Sequence, residues 1–188
     1  GWLYAHKAKI LADQGLFDEA HKVFDQALSL NPRRHWTYGE KAIALRQQGH
    51  FAEALKWIDN GLALKPNEHW LYAQKGITLR LMERYDEALA TFDKAIELGS
   101  KADWVYIQKG ITLREIERYD EAFEWIDKAV EIAPSDAWNH YQRGIMLRLM
   151  ECYDEALVAF NKAIELDPET DWVYIQKGIT LREMERYD

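Results

Sequence analysis

The sequence predicts an all-α solenoid of stacked antiparallel helix pairs, on three observations. Trp2, Trp36, Trp70, Trp104, Trp138 and Trp172 recur every 34 residues without an insertion, a period that marks units too small to bury their own apolar faces alone. Within each unit the apolar residues fall at helical rather than alternating spacing. Pro32, Pro66, Pro134 and Pro168 stand at one offset, where each blocks continuation of a second helix.

The unit at 103–136 shows the elements in order. From Trp104 to about Arg114 no Pro interrupts the helical spacing, which predicts a first helix. Glu117-Arg118 is the turn, where Gln14-Gly15 and Gln48-Gly49 stand in earlier units. Asp120-Glu121-Ala122 then opens a second helix, its two acids placed to favour the positive end of the helix dipole. Asn67, Ser135-Asp136 and Thr170-Asp171 are N-cap candidates for the following units. At one junction Gly99-Ser100 replaces the Pro, and a glycine C-cap is expected to stop the helix. The expected domain is a single solenoid of repeats 1–34, 35–68, 69–102, 103–136 and 137–170 with a half-repeat 171–188. Residues 103–120 return at 171–188 with only Ile116 and Met184 differing. Because a second helix should begin where the sequence stops at Asp188, the expectation is a window cut from a longer array.

Small residues mark where helices approach closely: Ala8, Ala42, Gly76, Gly110, Gly144 and Gly178 on the first helix, then Ala20, Ala54, Ala88, Ala122 and Ala156, and Ala27, Ala95, Ala129 and Ala163, on the second. With the column Phe24, Ile58, Phe92, Ile126 and Phe160 and the terminal Pro, the pattern resembles the tetratricopeptide repeat (TPR) family over the whole chain. The resemblance implies a right-handed superhelix of about five and a half repeats. It departs from the family pattern at the first helix. The usual Trp position holds Tyr4, Tyr38, Tyr72, Tyr106, His140 and Tyr174, with the Trp two residues earlier; the usual Leu position holds Lys or Arg, and the usual Tyr position holds Leu.

Two residues apart on a helix is about 200°, so Trp104 and Tyr106 face opposite sides. Tyr106, Gly110 and Leu113 make a packing face, which puts Trp104 on the other one with Ile107, Gln108, Ile111, Arg114 and Glu115. In TPR proteins the corresponding face lines the concave groove where ligands lie. The resemblance therefore implies a ligand-binding set of Trp36, Trp70, Trp104, Trp138 and Trp172; Gln74, Gln108, Gln142 and Gln176; Ile77, Ile111 and Ile145; and Arg46, Arg80, Arg114, Arg148 and Arg182. The first unit deviates with His6, Lys9 and Ala12 in these columns, as a capping repeat would. Two readings of the Trp column stand side by side: indoles packed between first helices with Arg stems laid over them, or an aromatic, carboxylate-binding and amide surface offered to a partner. Trp57-Ile58 and Trp125-Ile126 alternate with Val23-Phe24, Thr91-Phe92 and Ala159-Phe160, so the two columns are expected to share one packing space.

Other chemistries find no support. The six His residues show no HExxH and no metal-ligand spacing, and Cys152 is the only cysteine. No Gly-rich phosphate loop or nucleophile elbow appears, so neither an enzyme nor a cofactor is expected. The Asp-Glu pairs recur once per unit at a helix start, as dipole and capping groups do. A lone Cys and the absence of a leader or long apolar run make the cytoplasm the expected compartment, with no membrane contact. Acidic residues outnumber basic ones 32 to 24, for a formal charge of −8, which disfavours nucleic acid. The leading expectation is a non-catalytic scaffold that holds an extended peptide or partner-protein element, with acidic features facing the Arg column. Two alternatives accompany it. Self-association would use a C-terminal half-repeat exposing Tyr174, Leu181 and Tyr187, while single-stranded nucleic acid would stack on Trp beside Arg.

Overall fold

The computed structural model describes residues 1–185. Among them are eleven helices and no strand: α1 (Trp2–Asp13), α2 (Phe17–Leu30), α3 (His35–Gln47), α4 (Phe51–Leu64), α5 (His69–Leu81), α6 (Tyr85–Glu97), α7 (Asp103–Glu115), α8 (Tyr119–Ile132), α9 (Ala137–Leu149), α10 (Tyr153–Leu166) and α11 (Asp171–Met184). They form two compact units, Gly1–Ser100 and Lys101–Asp188 as bounded. In the first, α1–α2, α3–α4 and α5–α6 are helix pairs; in the second, α7–α8 and α9–α10 are pairs and α11 packs on both α9 and α10.

In each unit the second helix of a pair also packs on the next first helix, and first helices touch one another, as in α3 with α5 and α7 with α9. A first helix is thus enclosed on several sides. Accordingly α7 buries Val105, Ile107, Gly110, Ile111, Thr112 and Leu113 around most of its circumference. The second helices keep one solvated flank and bury a single stripe, such as Ala122, Ile126 and Ala129 in α8.

The glycine column is the point of closest approach. A Cβ on Gly76 would lie 2.6 Å from the Phe92 ring, one on Gly144 2.5 Å from Phe160, and one on Gly110 2.6 Å from Ile126. Phe24, Ile58, Phe92, Ile126 and Phe160 are all fully buried. Of the Trp residues paired with Ile, Trp57 packs against the cluster that holds Ile58. Trp57 and Trp125 are half-buried at the flank, tilted against Tyr38 at 5.7 Å and Tyr106 at 5.8 Å, with Lys41 and Lys109 over their rings at 4.0 and 3.7 Å. The buried slot takes Phe or Ile, and the half-buried slot beside it takes Trp where the buried residue is Ile.

The turns reuse one backbone path with different residues. Gly15 and Gly49 have φ of 77° and 80°, and Glu83, Glu117 and Glu151 take the same left-handed position at 58°, 61° and 62°. Capping differs from expectation. Asp136 alone of the three candidate sites accepts an N-cap bond, from the Asn139 N–H at 3.2 Å. Asn67 precedes the actual N-cap residue, Glu68, and the Thr170 hydroxyl donates backwards to Asp167 O instead. At the other end Gly99, at φ 92°, closes α6 as expected.

Candidate binding face

The Trp column lies along the first helices, and Trp70 and Trp172 each rest on the residue three positions after the preceding Trp. Trp70 covers Gly39, where any Cβ would collide with its ring, and stacks on Trp36 at 6.0 Å and 21°. In the second unit Tyr141 occupies that seat, and Trp172 meets it edge-on at 4.3 Å. Trp138 is 44% exposed and Trp172 37%, whereas Trp36, Trp70 and Trp104 are half-buried. The indoles pack on one another and are still partly exposed. Of the residues named for self-association, Tyr174 and Leu181 are exposed, and Tyr187 lies outside the described residues.

The Gln and Arg columns bond to each other across repeats. Arg46 Nη1 donates to Gln74 Oε1 at 3.0 Å and to Gln74 O at 3.3 Å, and Arg114 Nη1 donates to Gln142 Oε1 at 3.1 Å. Gln74 and Gln142 are buried by this role; Gln108 and Gln176 are half-buried. Arg148 takes a different partner, with Nη1 at 3.1 Å from a Glu183 carboxylate oxygen. Arg80 is half-buried and Arg182 is exposed. Of the Ile column, Ile111 and Ile145 are buried and Ile77 is half-buried.

Charge is unevenly balanced along the face. Among the described residues the hydrogen-bond partners of Arg46 are neutral: Gln74 and, at 3.4 Å, the Thr78 hydroxyl. Burial, with the added charge of Arg80, lowers its pKa to about 10. Near α1 the arrangement is reversed. Glu40 stands in the Gln column with Lys9 at 4.0 Å, and burial, offset by Lys9 and reinforced by Asp13, raises its pKa. Tyr141 is likewise raised by burial, with Arg114 and Arg148 acting against it.

Sequence reasoning missed a second ladder on the other side of the first helices. Lys41 pairs with Asp25 at 2.5 Å, Lys75 with Asp59 at 2.7 Å and Arg143 with Asp127 at 2.7 Å. Each joins a first helix to the second helix of the repeat before it. The signal was present as an Asp column 16 residues ahead of the Lys/Arg column, and it explains why a cation fills the position where Leu is usual. Among the described residues no cluster of metal-ligand side chains occurs, and no helix is long and apolar enough to cross a membrane.

Helix pairs of one length, repeated with small residues at each crossing, are matched by three family models, all described as tetratricopeptide repeat, over residues 11–75, 67–135 and 137–170. The chain belongs to the tetratricopeptide repeat family. Solved structures agree. A TPR protein, YrrB, described as having an unusual peptide-binding site, is 26% identical, with 86% of this chain and 84% of that chain covered and a TM-score of 0.66. The thermophilic TPR protein TTC0263 from Thermus thermophilus is 19% identical, with coverage of 94% and 98% and a TM-score of 0.80. MamA from Desulfovibrio magneticus RS-1 is 22% identical, with coverage of 90% and 96% and a TM-score of 0.72. The last two bear on the fold alone. No curated protein matches the chain. In general terms TPR membership makes this a protein-interaction scaffold, of a fold that is generally non-catalytic.

Proposed function

We propose that this TPR chain holds an extended peptide, or a projecting element of a partner protein, along the Trp, Ile and Arg residues of α3 and α5, with a carboxylate of the partner at Arg46. The observation that carries this reading is the environment of Arg46: a half-buried guanidinium, held by the neutral groups of Gln74 and Thr78, stands on the same face as the Trp36–Trp70 stack. A charged group in such a setting gains from an incoming anion, because the desolvation cost is already met and the planar donors suit a carboxylate. Arg148, which faces Glu183, is a weaker candidate. The stacked indoles of Trp36 and Trp70 serve as apolar anchors. Gln74 and Gln142 act by orienting the arginines rather than by touching the ligand. The peptide-binding description of the 26%-identical YrrB supports the same class of partner.

Selection of random dodecamer peptides against the whole chain tests this. Enriched sequences should carry Asp or Glu, and their affinity, read by tryptophan fluorescence titration, should fall about tenfold with Arg46→Ala and with Trp36→Ala. Enrichment without acidic residues, or affinity unchanged in Arg46→Ala, removes the carboxylate site. Affinity unchanged in both variants removes the groove.

A further inference from the structure

The indole pair and the guanidinium of the first unit are both fixed against α5, at a separation that selects a spacing in a chain laid over them. The Trp70 ring rests on the bare backbone of Gly39, where any Cβ would collide with it, and stacks on Trp36 at 6.0 Å and 21°. Arg46 Nη1 donates to Gln74 Oε1 and O at 3.0 and 3.3 Å and to the Thr78 hydroxyl oxygen at 3.4 Å. That hydroxyl donates in turn to Gln74 O at 2.8 Å, and Gln74 and Thr78 are buried, so the guanidinium is held in place. Gln74 is four residues past Trp70 on one helix, a rise of about 6 Å. Ile43, between Gly39 and Arg46 on α3, is half-buried and shares a helix face with Trp36 and Arg46.

Resting on the peptide groove proposed for α3 and α5, the geometry points to one class of partner segment: an extended strand with an apolar side chain and a carboxylate two residues apart, the first on the Trp36–Trp70 pair and the second at Arg46. In an extended chain neighbouring side chains point to opposite faces, and each residue advances about 3.3 Å. Residues one or three apart therefore cannot both face the groove. Residues two apart share a face at about 7 Å, close to the rise from Trp70 to Gln74, while residues four apart, at about 13 Å, overshoot it. The bonds to Gln74 and Thr78 use Nη1, so the carboxylate meets the Nη2 side of the planar fork. The residue between the apolar and acidic ones points away from the groove and is unrestricted. The same spacing holds for either chain direction.

The test titrates the whole chain into fluorescein-labelled Gly/Ser dodecamers that carry one Leu and one Asp set one, two, three or four residues apart, in both orders, and follows anisotropy. In the better order, the peptide with the pair two apart should bind at least tenfold more tightly than those with the pair one or three apart. Asn in place of Asp in that peptide, a change that leaves the protein untouched, should remove the advantage, and Arg46→Ala should do the same. Equal affinity at every spacing, with the dependence on Arg46 kept, overturns the spacing and leaves the groove standing. A maximum at any other spacing overturns it too; a maximum at four apart would mean a helical guest, which rises about 6 Å over four residues. A preference that survives the Asn peptide overturns the carboxylate assignment and the spacing with it. Saturable binding at no spacing overturns both the spacing and the groove.

Discussion

Arg46 donates to the Gln74 side chain at 3.0 Å across one repeat boundary, and Arg114 repeats the bond to Gln142 at 3.1 Å. A hydrogen bond to a charged group contributes about 1.5–3 kcal/mol, and more is lost when one partner stays buried. Gln74→Leu should therefore destabilise the chain by roughly 2 kcal/mol in urea denaturation. Gln74→Glu should keep the stability, because it supplies a carboxylate to Arg46. It should also abolish the binding of acidic peptides.

The glycine column gives a paired prediction. Gly76→Ala drives a methyl into the Phe92 ring and should cost about 1–3 kcal/mol. Gly178→Ala meets nothing and should be neutral or stabilise by up to about 1 kcal/mol through helix propensity. Thermal melts of the two variants check the contrast.

The left-handed turn residues give another. Glu117, at φ 61°, takes a conformation that costs a side chain roughly 1–2 kcal/mol. Glu117→Gly should raise stability by about 1 kcal/mol, and Gly49→Ala, at φ 80°, should lower it by a similar amount. Equal melting temperatures for both variants and the unaltered chain would contradict this.

Glu40 sets a pH dependence. Its pKa is raised above the ordinary value of 4.5, burial outweighing the attraction of Lys9. Between the unfolded and the raised folded value the native state binds more protons, so this group's penalty is absent below the unfolded pKa and complete above the folded one. Stability attributable to Glu40 should fall as pH rises upward from 4.5. Glu40→Gln should remove that fall and melt higher than the unaltered chain at neutral pH.

Much of this molecule was legible in one dimension. The Trp period of 34, the Pro and Gly stops and the Ala and Gly columns are local in sequence, and each acts through steric limits that any copy of the segment carries with it. They determined the helix pairs, their order and the close approach of Gly110 to the second helix. The angle between positions on one helix also separated Trp104 from Tyr106. N-caps were read less well, because Asn67 and Thr170 had partners or positions that side-chain chemistry alone did not reveal.

Relations between helices were decided by the tertiary structure. Whether Gln142 faces a ligand or Arg114 depends on the register of α9 against α7, and a bond spanning 28 residues has no signature within either helix. The same holds for the pairing of Lys41 with Asp25 across 16 residues and for the seat of each indole, which changes from Gly39 to Tyr141. DWVYIQKGITLRE states the difference most directly. Its thirteen residues determine a helix with an α8-shaped face in both places, but only packing decides that Leu113 is buried and Leu181 is not, because burial belongs to a pair of surfaces and a sequence describes one.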